Sequence, residues 1–121
     1  MNLKNKKNHI IPFIIFFTLN NILGCEVNKV SFIENKIQDL KSKTVYNPPA
    51  SVWKWVHKGV TYYYITSDCC DQYSDLYDMS GKLICHPDGG MTGKGDGKCT
   101  FDAFSVNSLV EKSLIWKDDR K

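Results

Sequence analysis

Apolar residues recur at three- and four-residue steps between residues 26 and 43, separated by lysine, glutamate, asparagine and glutamine. This period is typical of an amphipathic helix with one narrow apolar stripe. Asn47-Pro48-Pro49 ends any helix, because proline lacks the N–H donor. A membrane-surface helix would need a stronger basic face, so we expect the stripe to pack on a core. The stripe residues are Val30, Ile33, Ile37 and Leu40.

The pattern changes between residues 51 and 66, where aromatic and β-branched residues dominate. Lys58-Gly59 interrupts them and predicts a two-residue hairpin turn. Since successive strand side chains point to opposite faces, this turn places four large aromatic side chains on one face, in two opposed pairs. These residues, called the aromatic ladder below, are Trp53 opposite Tyr64 and Trp55 opposite Tyr62. The other face carries Val56, Tyr63 and Ile65.

The aromatic ladder has two interpretations. Large aromatic residues at alternating strand positions are usually core residues, and we expect the helix stripe to cover them. An exposed row would instead form a platform for sugar rings or a protein surface, since contiguous exposed aromatic area is rare without a use. The ladder is therefore the candidate ligand face of this sequence.

Further short strands are predicted after the first hairpin. Residues 75–78 and 82–85 form a second hairpin around Met79-Ser80-Gly81. Residues 113–116 are predicted to form a last strand, and residues 104–111 a helical turn. The predicted fold class is α+β, with an N-terminal helix packed on a small antiparallel sheet and a disulfide-linked, glycine-rich loop at one edge.

Residues 1–24 have the three-part layout of an export signal, with a basic start, an apolar stretch from Ile10 to Leu19, and small Gly24 before Cys25. Ile22-Leu23-Gly24-Cys25 resembles the lipobox of bacterial lipoproteins, in which the cysteine is lipidated and becomes the new N-terminus. The alternatives are that residues 1–24 form an uncleaved membrane anchor or a fortuitous apolar tail, or that cleavage nearby leaves Cys25 as a free thiol. The predicted organisation is a signal peptide (1–24), a helix (25–45) and an antiparallel β domain (46–121).

Charge argues against a nucleic-acid partner. The chain has a formal charge of +3, but three of its 16 basic residues lie in the signal segment, which contains no acid. Residues 25–121 therefore carry 13 basic and 13 acidic side chains and are formally neutral. A nucleic-acid-binding domain needs a basic face or stripe, which this composition does not provide.

The cysteine count favours disulfides in an oxidising compartment. Of five cysteines, Cys25 is the one that a lipid would consume, which leaves Cys69, Cys70, Cys85 and Cys99 for two bridges. Neighbouring cysteines bond poorly because the small ring strains the peptide, so Cys69 and Cys70 are each predicted to pair with Cys85 or Cys99. A zinc site with His57 or His86, and a catalytic thiol paired with His57, are weaker alternatives.

The region between residues 68 and 102 is rich in aspartate and glycine. Its glycine-rich loop, Gly89 to Gly97, matches neither the phosphate-binding loop nor the dinucleotide fingerprint. Calcium would prefer the aspartate oxygens, with Asp88 and Asp96 as weak candidates, but the spacing matches no EF-hand, and single aspartates in turns usually bond the local backbone. We expect no cofactor and no metal.

Residues 68–99 carry a distinctive pattern: Cys69-Cys70-Asp71, a Leu-Tyr-Asp strand, Cys85 before Pro-Asp-Gly-Gly, and Gly-Lys-Gly-Asp-Gly before Cys99. With the Asn-Pro-Pro junction and the Ile-Trp-Lys-Asp ending, this pattern resembles a family of small, uncharacterised bacterial proteins, mostly predicted lipoproteins of Bacteroidota. The resemblance covers most of the chain after the signal and implies an exported, lipid-anchored protein. It implies no activity.

The function expected from the sequence is that of a non-catalytic envelope module. It would be anchored to a membrane through an N-terminal lipid and would bind an envelope protein or a glycan. A secreted protease inhibitor, or a small hydrolase or redox enzyme, is the alternative. The enzyme is the weaker option, because residues 25–121 contain only two histidines and no nucleophile or metal motif.

Overall fold

The structure is a computed structural model that describes residues 31–121. The predicted signal segment, the candidate lipidation site Cys25 and the stripe residue Val30 lie outside the described residues. Within residues 31–121, no helix is long and apolar enough to cross a bilayer.

One helix and five strands form the fold, and every strand pairing is antiparallel. The strands lie in the order β4-β3-β2-β1-β5, so the last strand returns to pair with the first. This is the α+β arrangement that the sequence predicts. The elements are α1 (Phe32–Ser42), β1 (Ser51–His57), β2 (Val60–Ile65), β3 (Asp75–Asp78), β4 (Leu83–Cys85) and β5 (Glu111–Lys117).

Helix α1 begins later than the predicted Glu26. Ser31 is extended (φ −62°, ψ 152°) and caps the helix: its hydroxyl accepts from the Glu34 N–H at 3.4 Å. The Glu34 carboxylate accepts from the Ser31 N–H at 3.0 Å, which completes a capping box. Two of the unpaired donors at the helix start are thereby satisfied, which fixes the beginning of α1 at Phe32.

The end of α1 is held by the C-terminal residues of the chain. The Arg120 guanidinium donates to the carbonyl oxygens of Leu40, Lys41 and Lys43 at 2.8–3.2 Å. It also donates to both carboxylate oxygens of Asp118, at 2.6 and 2.9 Å. These hydrogen bonds lower the pKa of Asp118, which is buried. The pair supplies donors and positive charge where helix carbonyls lack partners.

The first hairpin has the predicted turn and register. Lys58 (φ 49°) and Gly59 (φ 77°) both adopt left-handed backbone, as a two-residue turn of this kind requires. The turn sets the register along both strands. The observed partners are Trp53 with Tyr64, Trp55 with Tyr62, and His57 with Val60.

The later strands differ from the prediction in their limits. The second hairpin is present as β3 and β4, while β5 extends over seven residues rather than the predicted four. Residues 104–110 form no helix. The Asp102 carboxylate accepts from the backbone N–H groups of Phe104 and Ser105, at 2.9 and 3.2 Å, and this local turn competes with helical hydrogen bonding.

The two faces of the sheet carry separate cores, and the prediction of which face the helix covers is wrong. Helix α1 packs on the face opposite the aromatic ladder, in a core of Ile33, Leu40, Ala50, Val52 and Ile65. The ladder face carries a second core of Trp55, Tyr64, Leu76, Cys85 and Ala103. A chain segment between Cys99 and β5, rather than the helix, covers this second core.

Candidate ligand-binding groove

The four ladder residues share one face of the sheet but differ in exposure. Trp55 is 1% exposed and Tyr64 is 8% exposed, whereas Trp53 and Tyr62 are only partly buried. The Trp55 and Tyr64 rings stack with centroids 4.4 Å apart. The prediction of burial therefore holds for Trp55 and Tyr64, while Trp53 and Tyr62 reach the surface.

Two phenylalanines from the segment after Cys99 cover part of the ladder. Phe101 packs against Tyr62, with ring centroids 5.3 Å apart. Phe104 meets the Trp55 ring edge-on at 5.6 Å and is itself 51% exposed. Phe101 and Phe104 leave the part of the ladder face around Trp53 open.

A groove of about 350 Å³ lies on this open part of the ladder. Its wall includes the indole of Trp53, which is held by a hydrogen bond from Nε1–H to the Ser51 hydroxyl at 2.9 Å. Because the hydrogen bond already fixes the Trp53 ring in the free protein, stacking of a ligand on this ring costs little additional side-chain entropy of the protein. The main lining residues are Ser51, Trp53, Trp55, Tyr64, Phe104 and Lys112.

Lys112 adds one positive charge to the aromatic groove. Its ammonium lies 5.0 Å from the Trp55 ring centroid and 4.6 Å from that of Phe104. It also donates a hydrogen bond to the Ala103 carbonyl oxygen. The aromatic faces attract the cation, so the ammonium is held at the groove with further N–H donors available to a ligand.

The floor of the groove is linked to the glycine-rich loop. The Tyr64 hydroxyl donates to the Asp88 carboxylate at 2.6 Å. Burial and this carboxylate raise the pKa of Tyr64 above its ordinary value, because both favour the neutral hydroxyl over the phenolate. Asp88, a weak calcium candidate from the sequence, thus positions Tyr64. Asp96, the other candidate, accepts from the backbone N–H of Lys98 at 2.9 Å.

The predicted disulfide pairing is wrong, although all four cysteines are bonded. Cys69 bonds to its neighbour Cys70, and Cys85 bonds to Cys99 with Cα atoms 5.2 Å apart. The prediction excluded a bond between Cys69 and Cys70 because the small ring strains the peptide between them. Residues 69–72 form a turn, in which the Gln72 N–H donates to the Cys69 carbonyl oxygen and Cys70 has φ 58°.

The two histidines among residues 31–121 have separate surroundings. His57 stacks on Phe101 with ring centroids 4.3 Å apart. His86 Nδ1 lies 2.9 Å from the Asp75 carboxylate and 3.1 Å from the Ser74 carbonyl oxygen. Among residues 31–121, no group of three or more His, Cys, Asp or Glu side chains could hold a metal ion. Because Cys69 and Cys70 are bonded to each other, neither is a free thiol that could act as a catalytic nucleophile with His57.

A family model for a domain of unknown function, DUF6970, matches residues 38–118. The chain belongs to this family. The DUF6970 region contains the last five residues of α1, all five strands and every groove residue. It confirms the expectation of an uncharacterised domain family. Searches of curated proteins and of solved structures each found no match.

Sequence reasoning found only part of the groove of this DUF6970 domain. Trp53, Trp55 and Tyr64 line it as the ladder predicts, whereas Tyr62 packs beneath Phe101 instead. Phe104 and Lys112 were not predicted as site residues. Their signal in the sequence is weak: Phe104 is an aromatic residue in a polar segment, and Lys112 comes two residues before Leu114 on the last strand.

Proposed function

We propose that the protein is an exported, lipid-anchored, non-catalytic envelope module that binds a glycan in the groove on its aromatic ladder. The observation that carries this proposal is the fixed, partly exposed indole of Trp53 in a groove with aromatic walls and a polar rim. Binding sites for small ligands are typically apolar and concave, with a few placed polar groups.

The chemistry of a sugar ring matches these surroundings. One face of a hexose presents C–H groups that pack against an aromatic ring, while the hydroxyl groups around its edge need hydrogen-bond partners. In the groove, Trp53 and Phe104 offer aromatic surface, and Ser51 and Lys112 stand at its side. The two titratable side chains of the groove each donate a hydrogen bond within the protein, Tyr64 to Asp88 and Lys112 to the Ala103 carbonyl oxygen, which suits a binding role.

Export and anchoring are supported by the sequence of the first 25 residues and by cysteine parity. Two bridges use Cys69, Cys70, Cys85 and Cys99, which leaves Cys25, after Gly24, as the cysteine for a lipid. Disulfides also favour an oxidising compartment. Cys25→Ser should release the protein from the membrane fraction without changing its fold. Retention of the variant in that fraction, with no labelled fatty acid in the wild type, would refute anchoring at Cys25.

Glycan binding is tested with the full chain on an array of neutral oligosaccharides, followed by calorimetry on the sugars that bind. Trp53→Ala should weaken binding by about tenfold or more, and Trp53→Phe should restore part of the loss, since a stacking ring remains. Tyr73→Ala is the matched control, because Tyr73 is a 45% exposed aromatic residue outside the groove. Absence of any bound sugar, or equal loss in both alanine variants, would overturn the proposal.

Protease inhibition is a second candidate, favoured by one observation. Met91 is 94% exposed in the loop that the Cys85–Cys99 disulfide closes. However, Gly89 and Gly90 have φ of 81° and 74°, whereas a peptide that adds to a protease as a strand is extended. Inhibition of a secreted protease by the wild type, lost in Met91→Ala, would favour this candidate over glycan binding.

A further inference from the structure

The groove on the aromatic ladder continues into a second cavity. Phe104 lines both, and the Tyr64–Asp88 hydrogen bond joins a residue of the first to a residue of the second. This second cavity, called the polar cleft below, has a volume of about 600 Å³. It lies between the glycine-rich loop and the segment that follows Cys99, and its lining includes Asp88, Gly93, Lys94, Asp102, Phe104 and Ser105.

A third cavity, of about 260 Å³, extends the same line of depressions. It shares Pro87, Lys94 and Asp102 with the polar cleft and ends beside Cys99 and Phe101. The three cavities therefore run from Trp53 on β1, past Phe104, to the Cys85–Cys99 disulfide. A ligand that occupied only the aromatic groove would leave most of this length unfilled.

Carbon atoms form most of the lining surface of both cavities, but the polar groups differ on the two sides of Phe104. Aromatic rings dominate on the ladder side, whereas the polar cleft carries the carboxylates of Asp88 and Asp102, the ammonium of Lys94 and the hydroxyl of Ser105. Asp102 uses Oδ1 for two backbone N–H groups, and a carboxylate has about four acceptor sites, so acceptor capacity remains. The cleft thus presents both acceptors and donors, as a chain of hydroxyl groups requires.

The charges along the two cavities do not attract an acidic chain. Two carboxylates face one ammonium in the polar cleft, and the only ammonium among the described lining residues of the aromatic groove, that of Lys112, lies against Trp55 and Phe104. The lining of the two cavities carries no net charge, so a polyanion gains no net attraction there, and its charges would also lie close to Asp88 and Asp102. A neutral chain meets no such repulsion.

We propose that the ligand is a linear, neutral oligosaccharide of several rings, with one ring stacked at Trp53 and the following rings passing Phe104 into the polar cleft. This inference rests on the proposed glycan-binding function and adds the length and charge of the ligand. The aromatic groove supplies stacking, and Lys94 and Asp102 contact the hydroxyl groups of the later rings.

The experiment measures the affinity of the full chain for cello-, malto- and chito-oligosaccharides from one to six rings. For the sugar type that binds, affinity should rise by about tenfold or more between two and four rings. Asp102→Asn and Lys94→Ala should lower the affinity for four rings by about fivefold and leave that for two rings unchanged. Lys98→Ala is the matched control, an exposed lysine of the same loop outside the three cavities.

Each outcome separates the two proposals. Asn keeps an acceptor oxygen for the local turn at residue 102, and near-ultraviolet circular dichroism verifies that each variant is folded. Trp53→Ala should weaken binding at every length. Affinity that is equal from two to six rings, or tighter binding of oligogalacturonate than of the neutral chains, would overturn this inference and leave glycan binding intact. Failure to bind any sugar at any length would overturn both.

Discussion

Trp53 and Trp55 lie two residues apart on the same face of β1, and we expect their replacement to have different effects. Trp55 is 1% exposed, stacks on Tyr64 and meets Phe104 edge-on. Trp53 is partly buried and lines the groove, with its indole N–H bonded to Ser51. Trp55→Ala should therefore destabilise the domain strongly, while Trp53→Ala should act mainly on ligand binding.

The size of the Trp55 effect follows from its burial. A large aromatic side chain buries about 150–250 Å², which at about 25 cal/mol per Å² contributes about 4–6 kcal/mol as an upper estimate. Measured replacements of buried Phe or Trp by Ala cost about 3–5 kcal/mol. A domain of this size is stable by about 5–15 kcal/mol, so Trp55→Ala should remove a large part of the free energy of unfolding.

Trp53→Ala should cost less. Part of its surface is already in water, and the hydrogen bond to Ser51 contributes about 0.5–1.5 kcal/mol. We expect a total loss of about 1–2 kcal/mol from partial burial and this bond. The two tryptophans thus provide a matched pair that differs in burial but not in residue type, strand or face.

The assay is urea unfolding of the full chain followed by far-ultraviolet circular dichroism, which does not depend on the tryptophan that is removed. Should Trp55→Ala fail to fold, Trp55→Phe provides the measurement, with an expected loss of about 1–3 kcal/mol from the cavity that the smaller ring leaves. Equal losses for the two alanine variants, or a larger loss for Trp53→Ala, would refute the assignment of Trp55 to the core and Trp53 to the surface.

Three further predictions concern the frame around the groove. Replacing both Cys85 and Cys99 by alanine should lower the free energy of unfolding by about 3 kcal/mol, since the bridge closes a loop with a sequence separation of 14; a loss below about 1 kcal/mol in urea unfolding would contradict this. The depressed pKa of Asp118 means that its contribution to stability is present above about pH 4 and is lost as pH falls below that value. Asp118→Asn should therefore be less stable than wild type at pH 7, and its free energy of unfolding should decrease less on acidification. Parallel pH profiles of the two proteins would exclude this role. Gly89→Ala should lower the melting temperature more than Gly93→Ala. Both positions have positive φ, but only the new methyl group at position 89 would collide with neighbouring backbone atoms, so equal shifts would count against this packing.

Local chemistry determined the elements that the sequence predicted correctly. Lys58-Gly59 favours left-handed backbone at both turn positions, and this turn fixes which residues of β1 and β2 are opposite each other. The turn around Met79-Ser80-Gly81 likewise joins β3 and β4, where the Asp78 carboxylate accepts from the Ser80 N–H at 2.9 Å. Each of these signals acts over a few residues, so it can be read without knowing the rest of the fold.

The same reasoning explains why only part of the groove was predicted. Alternation along β1 and β2 places Trp53, Trp55 and Tyr64 on one face whatever packs there. Phe104 and Lys112 reach that face only because the segment after Cys99 crosses it before β5 pairs with β1. Those contacts join residues about fifty positions apart in the sequence, and no local pattern specifies them.

Which layer covers which face was decided by the tertiary structure alone. Both faces of the first hairpin carry apolar residues, so the pattern allows the helix on either. The helix packs where Val52 and Ile65 complete its stripe, and Arg120 fastens its end to the last residues of the chain. The cysteine pairing was decided in the same way: the turn at residues 69–72 brings neighbouring thiols together, while strand pairing and the loop after β4 bring Cys85 to Cys99. Composition and periodicity establish that surfaces must be buried and thiols bonded, but distance in the folded chain selects the partners.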